Sequence, residues 1–221
     1  MTVEQAYQKY IVKTEKNSTN DNITTDKGRF VLLFNESQNK LIEFFLDRKS
    51  EDDIRYIQKI HVPSKSITPK KKQESKYLFE LPSNYFDLTN VYAYASSECC
   101  SNEKITLFPV KNENENEILA DQFNKPSFLY RESPYTISSN NINVYVDDFK
   151  IDNIVLSYYR YPTQISLIDN NDPEGDFDES KKIEFDDKFT DRVISLAAGE
   201  FDLNQENQRF QLQKARAIQK A

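Results

Sequence analysis

The residues with the clearest chemical potential form an acidic loop between positions 169 and 179. If Gly175 is placed sixth in a calcium-binding loop, carboxylate or amide side chains fall at the odd ligand positions: Asn170, Asp172, Glu174, Asp176 and Asp178. The twelfth position, where a bidentate glutamate is needed, is Lys181. We therefore predict a solvated acidic linker and no metal site here.

Other candidates for catalysis are few. His61 is the single histidine, and without a second histidine or suitably spaced cysteines zinc has no ligand set. No nucleophile elbow supports a Ser/His/Asp triad, and three glycines, at positions 28, 175 and 199, disfavour a glycine-rich phosphate loop. We predict a protein that is not an enzyme, with no catalytic residues and no cofactor. A metal-dependent enzyme using the acidic loop is the alternative.

Composition indicates a folded chain that does not coat nucleic acid. The 221 residues include 15 Phe and 13 Tyr, which argues against disorder although 29% of residues are charged. The net charge of −7 disfavours general phosphate binding. We expect neither a signal peptide nor a membrane span. The adjacent Cys99 and Cys100 are expected to be reduced, partly buried thiols in cytoplasm-like surroundings.

Hydrophobic periodicity predicts helices towards both ends of the chain. The first covers Val3 to about Glu15, with Thr2 as N-cap and Gln5 three residues later. The second follows Thr25 or Asp26 as its cap. Its apolar stripe is Phe30, Val31, Phe34, Leu41 and Phe45.

Two further helical segments follow the same reasoning. Ser50 with Asp53 fits a capping box that opens a third helix. Helical spacing returns from Glu184 and continues to residue 221. Its inward face is predicted to contain Phe185, Phe189, Val193, Leu196 and Ala197.

Short strands are predicted between these helices. Alternating or continuous apolar residues mark the segments 77–81, 91–95, 105–110, 126–130, 142–146 and 154–159. Short connections favour antiparallel pairing. Pro63, Pro69 and Lys70–Lys72 mark the crossing from helices to strands, with the lysines in a solvated loop rather than in a phosphate site. The aromatic run Tyr158–Tyr161 is expected to pack in the core rather than stack on bases.

The predicted fold is therefore α+β, with a helical layer from both chain ends and an inserted antiparallel β-platform. Its domains are N-terminal helices at 1–68, the β-platform insertion at 75–165, and C-terminal helices at 184–221 that complete the helical layer.

Several segments, in this order, resemble the head-to-tail connector (adaptor) proteins of tailed bacteriophages. The similarity is to the tail tubular protein A group and its relatives in crAss-like phages, and it spans about residues 25–220. It is carried by Glu80–Tyr85 (ELPSNY) before a strand at Val91, then Pro126–Tyr130 (PSFLY), Ile142–Tyr145 (INVY), Leu156–Pro162 (LSYYRYP) and Asp191–Ala198 (DRVISLAA).

This resemblance implies a structural virion protein, assembled in the host cytoplasm and located in the neck. Twelve copies would form a ring beneath the portal protein, extend the DNA channel and contact other neck or tail rings. DNA would pass during ejection without specific binding, and neither a cofactor nor a membrane would be involved. The alternative is a monomeric β-rich module that binds a peptide or a glycan.

The C-terminal segment 205–221 is predicted to be the part that docks on the portal. It is mostly polar, with a thin apolar stripe and several cations on an otherwise acidic chain, so it needs a groove for stability. The residues assigned to docking are Arg209, Phe210, Lys214, Arg216 and Ile218.

Overall fold

The computed structural model describes residues 1–17, 26–73, 75–111, 113, 121 and 124–201. The chain divides into two compact units of an α+β protein. The helical unit combines Met1–Lys59 with the chain from Pro162 onwards. The platform unit is the continuous segment Ile60–Tyr161.

Four α-helices of the helical unit lie within the described residues. They are α1 (Val3–Asn17), α2 (Lys27–Arg48), α3 (Glu51–Ile57) and α4 (residues 187–201), and Gln58–Ile60 forms a 3-10 turn after α3. No helix in the described ranges has the length and apolar character that a bilayer crossing requires.

Local hydrogen bonds explain where these helices begin. The Thr2 amide donates to the Gln5 side chain at 3.0 Å and the Gln5 amide donates to the Thr2 hydroxyl at 3.2 Å, which is the predicted capping box of α1. Asp26 caps α2 by accepting from the Arg29 amide. The capping box predicted for α3 is wrong: Ser50 is the N-cap, but its side chain makes no capping bond within the described structure.

Aromatic rings fill the core of the helical unit. Phe30 and Phe189 are fully buried, with ring centroids 5.3 Å apart for Tyr7 and Phe30 and 5.9 Å apart for Phe45 and Phe189. This core therefore joins α1 and α2 to α4, which follows more than a hundred residues later.

The predicted helix stripes need three corrections. On α2, Val31 and Leu41 are only partly buried, while the stripe contains the buried polar residues Ser37 and Gln38. On α4, Leu196 is 37% exposed although it was predicted to face inward. The buried residues of α2 are Phe30, Leu33, Phe34, Ser37, Gln38, Ile42 and Phe45.

The platform unit is one eight-stranded sheet. Its strands are β1 (His61–Ile67), β2 (Lys71–Lys72), β3 (Lys76–Glu80), β4 (Tyr85–Ser96), β5 (Glu103–Pro109), β6 (Glu132–Ser138), β7 (Asn141–Tyr145) and β8 (Lys150–Arg160). The order across the sheet is β1-β8-β4-β5-β6-β7-β3-β2.

The sheet is mixed, so the purely antiparallel prediction is wrong. β5 and β6 pair in parallel, with Thr106 opposite Glu132; the segment between Pro109 and Glu132 is long enough in sequence for a crossover connection, unlike the short connections that favour antiparallel pairing. β1, β2 and β6 were not predicted. β1 lies in the range predicted to be helical up to residue 68, and β2 is formed by Lys71 and Lys72, which are exposed as predicted but lie on an outer strand and not in a loop. Prolines at 63 and 134 hide β1 and β6 in the sequence.

The face of the sheet that forms the core is continuous over most strands. It contains apolar residues of β3 to β8, including the fully buried Phe79, Ile105, Ile142 and Leu156, with Val62 and Ile67 of β1 packed against it. A polar network lies on β6 and β7. The Tyr145 hydroxyl and the Thr136 hydroxyl are 3.1 Å apart, and the Asn143 amide donates to Thr136 at 3.3 Å.

The edge of the sheet at β1 is poorly suited to further strand pairing. Pro63 has no amide hydrogen, and Ser64 adopts a φ of 60°. The register of β1 against β8 shifts between Val62 and Lys65. A bulge, a proline and a lysine on an outer strand limit edge-to-edge association of sheets.

Candidate interaction surfaces

The acidic loop is exposed at most of its positions, as predicted, but it is a hairpin anchored on helices rather than a free linker. Leu167 and Phe177 form a bridge across it. Phe177 is buried, with its ring 5.6 Å from that of Tyr7 and 6.0 Å from that of Phe30. The Gly28 amide donates to the Pro173 carbonyl at 2.9 Å, which attaches the loop to the start of α2.

The carboxylates of this hairpin bind its own backbone. Asp169 accepts from the Asn171 amide at 2.9 Å, and Asp172 accepts from the Glu174 amide at 3.1 Å. These are Asx turns. The described residues contain no group of three or more His, Cys, Asp or Glu side chains that could hold a metal ion. The loop thus acts as a structural element of the helical unit.

His61 and the aromatic run 158–161 serve mainly as packing residues of the platform. The His61 ring lies 5.0 Å from the Tyr159 ring. Tyr158 and Tyr159 are buried, as predicted, and the Tyr158 hydroxyl donates to the Asn84 side chain at 3.1 Å. Tyr161 differs: it is 45% exposed and packs edge-on against Phe86 at 4.6 Å.

The two cysteines lie at the turn between β4 and β5. Both are exposed, so the expectation of partial burial is wrong. The Ser97 amide donates to the Cys100 carbonyl at 2.8 Å, and the Ser97 hydroxyl is 3.2 Å from the Cys99 sulfur. The hydrogen bond with Cys100, and to a smaller extent that with Ser97, lowers the pKa of the Cys99 thiol. The same bond between the two cysteines raises the pKa of the Cys100 thiol.

A pair of apolar side chains projects from the platform into solvent. Leu129 is 83% exposed and Tyr130 is 75% exposed. They occupy a turn, although the sequence predicted a strand over 126–130. We call this pair the apolar knob.

The knob is held by bonds at its base. The Ser127 amide donates to the Glu132 carbonyl at 2.9 Å and the Glu132 amide donates back at 3.1 Å. The Tyr130 amide donates to the Ser127 hydroxyl at 3.2 Å. The Phe128 ring packs 5.8 Å from the Phe149 ring, so the turn is attached to the platform core.

Acidic residues surround this base. Arg131 pairs with Glu103 at 3.0 Å, and Lys125 pairs with Asp147 at 3.2 Å. Glu132 is also exposed there, as are Asp148 and Lys150 on either side of Phe149. Four carboxylates therefore accompany three cations around the knob.

The helical unit contains a shallow groove of the opposite charge. It encloses about 730 Å³. Its apolar floor includes Leu41 and Phe44, and Phe44 is 51% exposed. The remaining lining residues are Lys9, Lys13, Phe45, Arg48, Asp53, Asp191, Arg192 and Ser195. We call this the cationic groove.

Cations outnumber carboxylates in this lining by four to two. Lys9 pairs with Asp191 at 2.7 Å. Asp53 lies 3.6 Å from Arg48 and 3.8 Å from Arg192. The Arg48 guanidinium lies over the Phe44 ring at 5.3 Å, which keeps a cation beside the exposed ring.

The docking residues predicted from the sequence lie outside the described residues: Arg209, Phe210, Lys214, Arg216 and Ile218. Sequence reasoning also missed both surfaces described above. Leu129-Tyr130 could have been recognised as two large apolar residues next to Arg131 and Glu132. The groove had no signal in sequence because its residues come from four helices.

No protein-family model matches the sequence. No curated protein matches it significantly.

Proposed function

We propose that the protein is a structural subunit of a ring in the neck of a tailed bacteriophage, located beneath the portal and extending the DNA channel from head to tail. In this proposal the helices from both chain ends form one layer of the ring wall, and the platform contacts neighbouring rings. The resemblance of segments between residues 25 and 220 supplies the identity of the assembly.

The observation that carries the proposal is the apolar knob. Solvent-facing apolar groups are common on proteins, but Leu129 and Tyr130 are adjacent, more than two-thirds exposed, and fixed by backbone bonds. An apolar projection whose backbone is already held in place loses little backbone entropy on binding, so it suits a permanent contact. The net charge of −7 is compatible with DNA passing without adhesion.

The test is reconstitution with the portal protein encoded by the same phage. Particles from co-expression are measured by mass photometry and imaged by cryo-electron microscopy. We expect a ring of many copies of this chain on one face of the portal. A chain that remains monomeric and separate from the portal contradicts the proposal.

Truncation examines the proposed role of the tail. A chain ending at Asn204 lacks Arg209, Phe210, Lys214, Arg216 and Ile218. We expect it to unfold cooperatively but to fail in portal binding. If the truncated chain does not fold, the tail belongs to the core; if it binds the portal normally, the tail is not the docking element.

One surface favours a second candidate, a peptide- or glycan-binding module. Tyr92 and Tyr94 lie next to each other on β4 with ring centroids 5.7 Å apart, and the Lys104 ammonium lies 4.1 Å from the Tyr92 ring. Adjacent aromatic rings can stack on a sugar. Binding on a glycan array by the full chain that is lost in Tyr92→Ala would support this candidate.

A further inference from the structure

We propose that the apolar knob of one copy binds in the cationic groove of a second copy. This inference rests on the proposed ring function and specifies which surfaces meet. The knob is Leu129 and Tyr130 with its acidic base, and the groove is the surface around Leu41 and Phe44 with its four cations.

The apolar parts of the two surfaces complement each other. The knob presents one aliphatic and one aromatic side chain, both mostly in water. The groove offers Phe44, half exposed, beside Leu41 on the same helix. Contact would remove apolar area from water on both sides, and a tyrosine in a desolvated pocket is a frequent anchor of protein interfaces.

Charge determines which surfaces can pair. The knob has four carboxylates against three cations at its base, whereas the groove has four cations against two carboxylates. Two knobs would bring like charges together, as would two grooves. Knob against groove brings opposite charges together, so the contact is heterologous.

The chain's own basic tail is a poorer occupant of the groove. Residues 205–221 contain Arg209, Lys214, Arg216 and Lys220 against the single carboxylate Glu206. That excess positive charge would face the four cations of the groove. If the knob of each copy binds the groove of the next copy, the same contact repeats from copy to copy, which is the connectivity that a ring requires.

Point variants of the full chain test each side separately. Leu129→Asp changes the knob, and Phe44→Glu changes the groove, with Arg48→Glu as a second groove variant. Self-association is measured by sedimentation velocity over a concentration series, and folding by circular dichroism. We expect each variant to stay folded and to raise the dissociation constant about thirtyfold or more, the effect typical of a lost anchor residue.

Matched controls come from exposed apolar residues outside both surfaces. Leu32 is 58% exposed on the same helix as Phe44, and Ile168 is 74% exposed on the acidic hairpin. Leu32→Glu and Ile168→Asp introduce the same kinds of charge. We expect both to associate like the unchanged chain, and equal loss in the controls would overturn the proposal.

Mixing the two defective variants identifies the heterologous contact. Leu129→Asp retains a groove and Phe44→Glu retains a knob, so each fails alone but the mixture should form a one-to-one dimer. That dimer should weaken as salt rises, since the surfaces attract through opposite charges. A mixture that stays monomeric overturns the proposal.

Failure of this contact can be distinguished from failure of the ring function. Self-association or portal-bound rings that survive Leu129→Asp and Phe44→Glu overturn knob-in-groove docking and leave the proposed function standing. A chain that is monomeric at every concentration and also with the portal overturns both.

Discussion

The helical unit and the platform unit differ in how the chain builds their cores. In the helical unit, α1 and α2 bury aromatic rings against Phe177 and Phe189, which come after the whole platform in the sequence. In the platform, every residue of the main core cluster lies between Tyr77 and Tyr158. One core therefore needs both chain ends, while the other needs a single continuous segment.

This contrast also separates the two interaction surfaces. The knob depends on backbone bonds within a short turn of the platform. The groove depends on side chains from four helices, so its shape requires that both chain ends have folded. Substitutions that disrupt the core of the helical unit should consequently distort the groove. They should leave the knob unchanged, because its conformation depends on bonds within one turn.

The largest expected effect is the loss of folding in a fragment. A chain of residues 60–161 should fold alone, because it contains the whole platform cluster. A chain of residues 1–59 should not, because it lacks Phe177 and Phe189. Circular dichroism and amide proton dispersion in NMR spectra measure the folding of both fragments. A disordered 60–161 fragment would contradict the difference proposed between the two units.

Core truncation comes next in size. Phe34→Ala and Phe189→Ala remove nearly or fully buried rings from the helical unit. Each should lower the free energy of unfolding by about 3–5 kcal/mol, as large-to-small core changes do. Leu129→Ala is the matched control and should change it by less than about 0.5 kcal/mol. Losses under about 1 kcal/mol at both phenylalanines would contradict their assignment to the core.

Helix caps provide a smaller, internally controlled test. Asp26 accepts a bond from the Arg29 amide, whereas Ser50 makes no capping bond with the described residues. Asp26→Ala should lower the free energy of unfolding, measured with urea, by about 1 kcal/mol. Ser50→Ala should lower it by only about a few tenths of a kcal/mol. Equal costs would show that the side-chain bond is not what distinguishes the two positions.

Alkaline pH should lower the stability of the platform unit. Burial, with help from the Asp87 carboxylate, raises the pKa of Tyr85 to about 12. An unfolded tyrosine ionises near pH 10, so between these values the unfolded state binds fewer protons and stability falls as pH rises. Tyr85→Phe should flatten that fall in unfolding curves between pH 9 and 12. An unchanged slope would place the titration elsewhere.

The smallest effect concerns the thiols. Hydrogen bonds from Cys100 and Ser97 lower the pKa of Cys99 and the shared bond raises that of Cys100. Iodoacetamide should therefore label Cys99 first at neutral pH, since the thiolate is the nucleophile. Peptide mass spectrometry measures the ratio of labelled Cys99 to labelled Cys100, and Ser97→Ala should reduce that ratio. Equal labelling of both cysteines would contradict the assigned bonds.

The sequence predicted the helices well where side-chain periodicity and caps agree. Thr2 with Gln5 and the Asp26 cap locate the starts of α1 and α2. It failed at the middle of α2, because the buried Ser37 and Gln38 interrupt the apolar stripe and shift the apparent face towards Val31 and Leu41.

Strand prediction failed where pairing depends on distant residues. β1 is stabilised by β8, nearly a hundred residues away, which leaves no local pattern. β6 pairs with the neighbouring β7 as well as with the parallel β5, and Pro134 is what hides it in the sequence. The candidate surfaces were missed for a related reason. Exposure of Leu129 and Tyr130 is set by the turn at Ser127, and apolar residues in sequence normally indicate burial.

The first and last strands of the platform are hydrogen-bonded neighbours, with His61 opposite Tyr159. The chain therefore enters and leaves this unit only about one strand spacing apart, roughly 5 Å. An inserted module with such close ends can be exchanged for another between related genes, because the host segment needs only a short linker in its place. Residues 60–161 therefore have the closely spaced ends that such an exchange requires.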